Sequence, residues 1–413
     1  MRGENLIKDV IIVGGGPAGL MAANQLKGTD FLLLEKNEQV GKKLMLTGGK
    51  RCNITNVLSK EAFMASLNSK KSKFLYKALT QFGREDIIGF FRDRALNLKL
   101  EQDFKFFPET EKSRDVLNSL LRDIEPGRIH YNQAVREIHK EDYYVIKTKT
   151  DTYYTKNLIL CVGSNAYPST GSSGDILKLL EPFNVGFKQF SPAEAPIYLK
   201  NNEVYKDLQG ISLSTELKMS TRKQTFKGDV IFTHFGLSGP LILHISELID
   251  EDLAKGPVSL SFSLTTLDFD KVLNETVAKN SSVLALLESL VQKRLAKYVL
   301  DALQIENVRL KELSSKKLNA IKDRILKFTV EVSHVEVKEK SFVNAGGILL
   351  EEIDPNTMAL KNHDGLYIAG ESMDLAGPIG GFNITIALST GHLAGRSVKQ
   401  KLKGDSYEEK KIG

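Results

Sequence analysis

Apolar positions open the chain in two short uninterrupted runs, Asp9-Val10-Ile11-Ile12-Val13 and Phe31-Leu32-Leu33-Leu34-Glu35, separated by helical spacing over residues 17–27. Unbroken runs of this length are the pattern of strands buried on both faces, and strand, helix, parallel strand predicts a doubly wound α/β layer. Residues 59–94 carry helical spacing, with Lys70, Lys71 and Lys73 read as solvated helix surface. Residues 143–147 and 157–161 return to strand texture. Over residues 188–267 the pattern shortens to alternating runs such as 211–217, 229–233 and 258–262, which predict an antiparallel barrel or sandwich. Helical spacing takes over at 283–303 and 316–327, strands recur at 327–332 and 365–369, and a Gly-rich turn leads into a final helix. From Lys403 the polar end is expected to fray. The division read from this texture is 1–187 with 340–413, 188–267 with 326–339, and a helical insert at 268–325.

Composition narrows the class. The 413 residues are 41% hydrophobic and 26% charged, as in a folded globular protein. A net charge of +6 is a mild excess over this length, so nucleic acid is not an indicated partner. Two cysteines, Cys52 and Cys161, leave no disulfide framework or cysteine zinc site, which fits the cytoplasm. Residues 10–23 and 375–395 lack charge, but the first is short and broken by glycines and Pro17, and the second is broken by glycine, proline and polar residues, so neither reads as a membrane span. No metal site is expected. Such stretches suit a core or a bound ligand.

Gly14-Gly15-Gly16-Pro17-Ala18-Gly19 is a G-x-G-x-x-G between a strand and a helix. Glycines there let backbone approach a pyrophosphate, whose charge sits on free N–H groups at the helix start. Glu35 follows about 20 residues on, where a carboxylate accepts from adenosine ribose hydroxyls. At the far end, Gly370 and Glu371 follow a strand and Gly380-Gly381-Phe382-Asn383 opens the uncharged helix. A late acid suits a ribitol, and a helix N-terminus suits the anionic reduced flavin. The two ends together favour FAD over NAD, and no second G-x-G-x-x-G follows a strand.

Four further motifs carry a resemblance. Residues 42–53 (KKLMLTGGKRCN) with Thr55 and Asn56, residues 228–240 (GDVIFTHFGLSGP), Asn344-Ala-Gly-Gly-Ile348, and residues 365–371 (GLYIAGE) with Gly380 to Asn383 lie in order along nearly the whole chain. This combination resembles the bacterial flavoprotein family that contains aminoacetone oxidases and BaiN-type NAD(P)H-dependent bile-acid dehydroreductases. The resemblance implies an α/β fold: a two-dinucleotide-binding-type, Rossmann-like FAD domain interrupted by a β-barrel domain that carries a small helical domain. The chain departs from the family where Met373-Asp-Leu-Ala-Gly-Pro-Ile replaces an Asp-rich turn and Phe382 replaces a tyrosine.

The expected cofactor contacts are Gly14, Gly16, Pro17, Ala18, Gly19, Glu35, Lys36, Lys43, Thr47, Gly48, Gly49, Arg51, Cys52, Asn53, Val135, Gly163, Gly370, Glu371, Gly381, Phe382, Asn383 and Ile384. In the 47–53 loop, Gly48 and Gly49 admit backbone to the flavin or its phosphates. Lys43, Lys50 and Arg51 offer charge, and Asn53 offers hydrogen bonds to the ring edge. Cys52 reads as a packing residue before a redox thiol, and Cys161 as core. His234 is the candidate catalytic acid or base, with a histidine that satisfies a tight turn as the equal alternative. Ser238 is placed to cap the next helix. These features predict an FAD-dependent oxidoreductase acting through flavin N5 on a small molecule. NAD(P)H-linked reduction of a conjugated or carbonyl compound comes first and oxidation of a small amino ketone by oxygen second. An RNA-binding or RNA-modifying flavoprotein is the alternative of another class.

Overall fold

The computed structural model describes residues 7–67, 69–101, 104–336 and 343–412. The chain forms two compact units, Met1–Ser191 with Asn344–Gly413, and Pro192–Val343. The boundary expected at 339/340 falls within 337–342, outside the described residues.

In the first unit five strands run parallel in the spatial order Ile129–His130, Phe31–Leu34, Lys8–Val13, Thr152–Leu160, Leu366–Ile368. The chain order reverses beside Lys8–Val13, and a crevice opens at the carboxyl ends of strands where such a reversal occurs. Val10, Ile11, Ile12, Leu33, Leu158, Ile159 and Leu160 are fully buried, as continuous apolar runs require. Tyr144–Lys147 and Glu137–Lys140 extend the sheet antiparallel along the first half of Thr152–Leu160. A separate three-stranded sheet, Thr55–Asn56, Lys105–Pro108 and Leu98–Glu101, had no clear alternation to announce it.

Helix Pro17–Gln25 packs on the final helix Phe382–Ile412 at glycine distance. A Cβ on Gly391 would lie 2.2 Å from the Ala18 carbonyl oxygen, and one on Gly395 would lie 2.5 Å from that of Ala22. The absence of charge in the two stretches follows from this contact, since each helix buries small residues against the other. The final helix does not end at Lys403: its backbone stays helical to Ile412, consistent with the helix propensity of its Lys and Glu.

In the second unit Ile197–Leu199, Gly236–Ser238, Thr225–Phe232, Ser212–Met219, Ser259–Phe262 and Phe328–Val335 close into an antiparallel barrel. Helices Phe269–Ala278, Val283–Leu290, Lys293–Leu303 and Ser315–Leu326 share one hydrophobic cluster with it. The helical spacing of residues 283–303 resolves into two helices, broken at Val291 and Gln292. Among the described residues no helix is long and apolar enough to cross a membrane.

Candidate functional site

The loops that leave the carboxyl ends of the parallel strands carry most of the expected cofactor contacts. Gly14 takes φ +103°, and a Cβ there would lie 2.4 Å from the Cys161 carbonyl oxygen. A Cβ on Gly19 would lie 1.9 Å from the Gly14 carbonyl oxygen, so the turn and the helix close only on glycines. Gly16 differs, because nothing lies within 4 Å of a Cβ built on it. It is the N-cap residue of Pro17–Gln25, and no side chain caps that helix. Its uncapped N–H groups and open approach fit a pyrophosphate.

Glu35 is buried and held from two sides. Gly15 N–H donates to Oε2 at 2.8 Å, while Asn37 donates to Oε1 from its backbone at 2.8 Å and its side chain at 2.7 Å. The carboxylate is thus fixed beside the Gly14–Gly19 turn, with further lone pairs that fit ribose hydroxyls. Lys36 instead turns to Asp175 at 2.7 Å and Ser173 at 2.6 Å. Val135 is half-buried on the first unit's core.

Lys43 and Glu371 meet across the crevice, Nζ to Oε2 at 2.5 Å, and the Ser164 hydroxyl donates to the same oxygen at 3.0 Å. Burial would raise the Glu371 pKa, but the Lys43 charge and the Ser164 donors outweigh it and hold the carboxyl below its ordinary range. Gly163 N–H donates to Ser372 Oγ at 3.0 Å, and Gly370 N–H donates to Thr390 Oγ1 at 3.1 Å, so the two strand-end turns are tied together and to the last helix. The sequence reading missed Ser164, Ser372, Thr390 and Asn37. Isolated Ser, Thr and Asn residues carry no motif until the strand order brings them beside an expected contact.

In the 47–53 loop Gly48 (φ +56°), Gly49 (φ +66°), Lys50 (φ +72°) and Cys52 (φ +65°) are left-handed. Gly49 has open space where a Cβ would sit, whereas one on Gly48 would lie 3.0 Å from the Asn53 backbone nitrogen. The Thr47 hydroxyl donates to the Leu44 carbonyl at 2.6 Å. Arg51 binds Glu101 at 2.5 Å and lies over the Phe107 ring, so carboxylates already take part of its charge. Burial pushes the Cys52 thiol up to about 12 against an opposing hydrogen bond to Thr47, and burial likewise pushes Cys161 up to about 12. Neither forms the thiolate a nucleophile needs near neutral pH.

The final helix starts behind this loop. A Cβ on Gly381 (φ +85°) would lie 2.6 Å from the Thr55 carbonyl carbon, which presses the turn onto the Thr55–Asn56 strand. Phe382 is buried against Phe63, with ring centroids 4.5 Å apart. The Asn383 side chain accepts from Gly377 N–H at 2.9 Å and donates to the Gly377 carbonyl at 2.7 Å, stitching the preceding turn. Ile384 is partly buried on the same core.

His234 lies in the other unit, exposed in the turn that follows Thr225–Phe232, with its ring edge-on to Phe235 at 4.8 Å. The expected Ser238 cap is corrected: helix Pro240–Leu253 has Gly239 at its N-cap, at φ +96°, and no side-chain cap. Ser238 instead pairs with Ile231 in the barrel. A Cβ on Gly239 would lie 2.7 Å from the Asp229 carbonyl oxygen, so this close-packed helix start selects glycine.

A family model described as the HI0933-like protein Rossmann domain matches residues 8–397. The 3-dehydro-bile acid delta(4,6)-reductase of Clostridium scindens is 26% identical over 409 residues, covering 94% of this chain and 98% of that protein. The ribosomal RNA dihydrouridine synthase of Escherichia coli is 26% identical over 391 residues, covering 92% and 96%. In fold, the 3-ketosteroid-delta4-(5alpha)-dehydrogenase of Rhodococcus jostii superposes with a TM-score of 0.51 at 12% identity, covering 96% of this chain and 98% of that one.

Proposed function

Because the chain belongs to the HI0933-like Rossmann family and is an FAD-dependent oxidoreductase, we propose that it uses NAD(P)H to reduce a conjugated or carbonyl small molecule, most simply a C=C bond conjugated to a carbonyl. The observation that carries this reading is the end-to-end likeness to a reductase whose name specifies such double bonds. The overall reaction adds two electrons and two protons across the bond and oxidises NAD(P)H. When bound, FAD supplies two-electron transfer at its N5.

The chain's own part is to bind and orient. In this reading the Gly14 to Gly19 turn takes the pyrophosphate, and Glu35 takes the adenosine ribose. Glu371, kept ionised by Lys43, accepts from the ribitol hydroxyls. The start of Phe382–Ile412 supplies positive dipole to the flavin's pyrimidine edge through backbone, since the Phe382 and Asn383 side chains are engaged elsewhere. The open backbone at Gly49 fits a close approach in the same crevice. Residues 1–187 and 340–413 form the cofactor domain, 188–267 and 326–339 the substrate-contacting barrel, and 268–325 its helical insert. Two buried free cysteines suit a reducing cytoplasm.

Anaerobic mixing of the flavin-loaded protein with NADH or NADPH tests the electron donor. Rapid bleaching of the visible flavin band is expected. Bleaching by aminoacetone and by neither nicotinamide would favour the amino-ketone oxidase and overturn the proposal. A second reading places the double bond in a uridine ring of RNA, and what favours it is the likeness to the dihydrouridine synthase.

A further inference from the structure

Thr55 and Asn56 form a strand of only two residues, yet both side chains are buried. The strand is held by Lys105–Pro108, with Ile54 N–H donating to the Phe106 carbonyl at 2.9 Å and Val57 N–H to the Phe104 carbonyl at 3.0 Å. From this support both side chains reach the start of the final helix. Asn56 Nδ2 donates to the Gly380 carbonyl at 3.0 Å, while its Oδ1 accepts from Leu58 N–H at 3.2 Å. The Thr385 hydroxyl donates to Thr55 Oγ1 at 2.9 Å. Glycine at 380 (φ +115°) allows the approach, because a Cβ there would lie 3.0 Å from the Phe104 ring.

Asn56 is one of three donors that cover carbonyls of this turn. Lys71, buried on helix Ser69–Gln81, donates from Nζ to the Ala376 carbonyl at 3.1 Å, and Asn383 Nδ2 donates to the Gly377 carbonyl at 2.7 Å. A carbonyl oxygen is the negative end of a peptide dipole, and one aimed at a group that becomes an anion would work against it. Here the oxygens of residues 376, 377 and 380 are all drawn to protein donors. The first helical bond runs from Thr385 N–H to the Gly381 carbonyl at 3.2 Å, so the N–H groups of Phe382, Asn383 and Ile384 precede the helical ladder. Asn383 and Ile384 are only half-buried, which leaves that positive end reachable. Packing alone would not call for an amide at position 56. An apolar side chain of similar size would fill the space and leave the Gly380 carbonyl without this donor.

We infer that Asn56 is a positioning residue that sets the reduction potential of the bound flavin. By holding the Gly380 carbonyl inward, it keeps the helix start positive toward the flavin's pyrimidine edge and so favours the anionic reduced form. The inference rests on the reading that this helix start faces that edge. Asn56 acts through the turn and not by touching the reacting atoms.

The midpoint potential of the flavin-loaded full chain, read by dithionite reduction against an indicator dye, tests this. Asn56→Leu should lower the potential by about 30 mV, a tenfold shift of the two-electron equilibrium away from the reduced form. Asn56→Ala removes the same donor and should give the same drop should the leucine protein not fold. Lys71→Met uncovers the Ala376 carbonyl and removes a cation, so it should lower the potential as well. Thr385→Val breaks the hydroxyl pair in the same contact but uncovers no carbonyl, so it should lower thermal stability and leave the potential unchanged. A parent-like potential in folded Asn56→Leu or Asn56→Ala protein, with Lys71→Met shifted, overturns the inference and leaves the placement of the helix start standing. Parent-like potentials in the Asn56 and Lys71 variants alike refute that placement and the inference with it. A drop of equal size in Thr385→Val also overturns the inference, since loosened packing would then account for the effect. Because dithionite supplies the electrons, failure of NAD(P)H to reduce the flavin would refute the proposed reaction and leave this inference standing.

Discussion

Lys43 Nζ and Glu371 Oε2 lie 2.5 Å apart although 328 positions separate them in the chain. The pair joins the loop after the second strand to the turn after the last one, and with Ser164 it ties three strand ends into one charged knot. Lys43→Met leaves the carboxylate in a mostly buried place without its cation. The account predicts about tenfold or more weaker FAD retention, measured as flavin absorbance per protein after dialysis. The sign with pH is fixed by the lowered Glu371 pKa. Its stabilisation is complete above the ordinary carboxyl range and is lost as pH falls through the lowered folded value. Lys43→Met should therefore lower the thermal midpoint near neutral pH and flatten its acid limb, the difference from the parent shrinking as pH falls through the lowered folded value.

Two glycines of one motif should fail differently. Gly19→Ala sets a methyl 1.9 Å from a backbone oxygen and should unfold or distort the first unit. Gly16→Ala meets no protein atom and has an ordinary φ of −81°, so circular dichroism and apo stability should match the parent. Its methyl would occupy the phosphate approach, so FAD affinity should still fall by at least about tenfold. Equal FAD affinity in Gly16→Ala protein would remove the pyrophosphate from this turn.

His392 stacks on Phe82 at 4.5 Å with neither ring nitrogen hydrogen-bonded among the described residues. Burial first, and Arg396 next, push its pKa down to about 4, with Asp86 opposing. Between pH of about 6.5 and 4 the unfolded chain therefore binds a proton that the folded one refuses, and stability drops as pH falls across that window. His392→Leu should raise stability by about 1 kcal/mol or more and flatten that part of the profile, as read by denaturant titration at several pH values.

In the barrel unit Asp252 receives Arg222 Nε at 2.7 Å, Arg222 Nη2 at 2.9 Å and the Thr221 hydroxyl at 2.7 Å. The Arg222 hydrogen bonds, against burial, pull its pKa down to about 2. Asp252→Asn should cost about 2 kcal/mol near neutral pH, and in the parent that contribution should disappear between about pH 4 and 2. Urea unfolding of both proteins across that range checks the sign.

The parallel strands, the glycine turn into the first helix and the barrel were legible because each is written locally. Val10 to Val13 and Leu158 to Leu160 are unbroken apolar runs, and Ser212–Met219 alternates residue by residue. The Lys43–Glu371–Ser164 knot was legible only in part. Two of its members lie in motifs, but Ser164 acquires meaning from the parallel pairing of Leu366–Ile368 with Thr152–Leu160. Likewise Phe382 and Asn383 stand at the expected helix start, but their side chains follow packing against Phe63 and the Gly377 turn, which no spacing rule encodes. In the barrel unit the stacking of Tyr198 on Phe235 and His334 was invisible for the same reason: the three rings lie on separate segments that only barrel closure aligns.

The central claim is reduction of a conjugated double bond by electrons from NAD(P)H. The direct measurement is the anaerobic oxidative half-reaction: protein reduced with one equivalent of NADPH or NADH is mixed with 4-androstene-3,17-dione or oligouridylate, and the visible flavin band is followed. The account predicts that the band returns with one of these acceptors faster than in buffer, with one saturated product formed per flavin. A band that stays bleached with every conjugated acceptor and returns only when oxygen is admitted would contradict it.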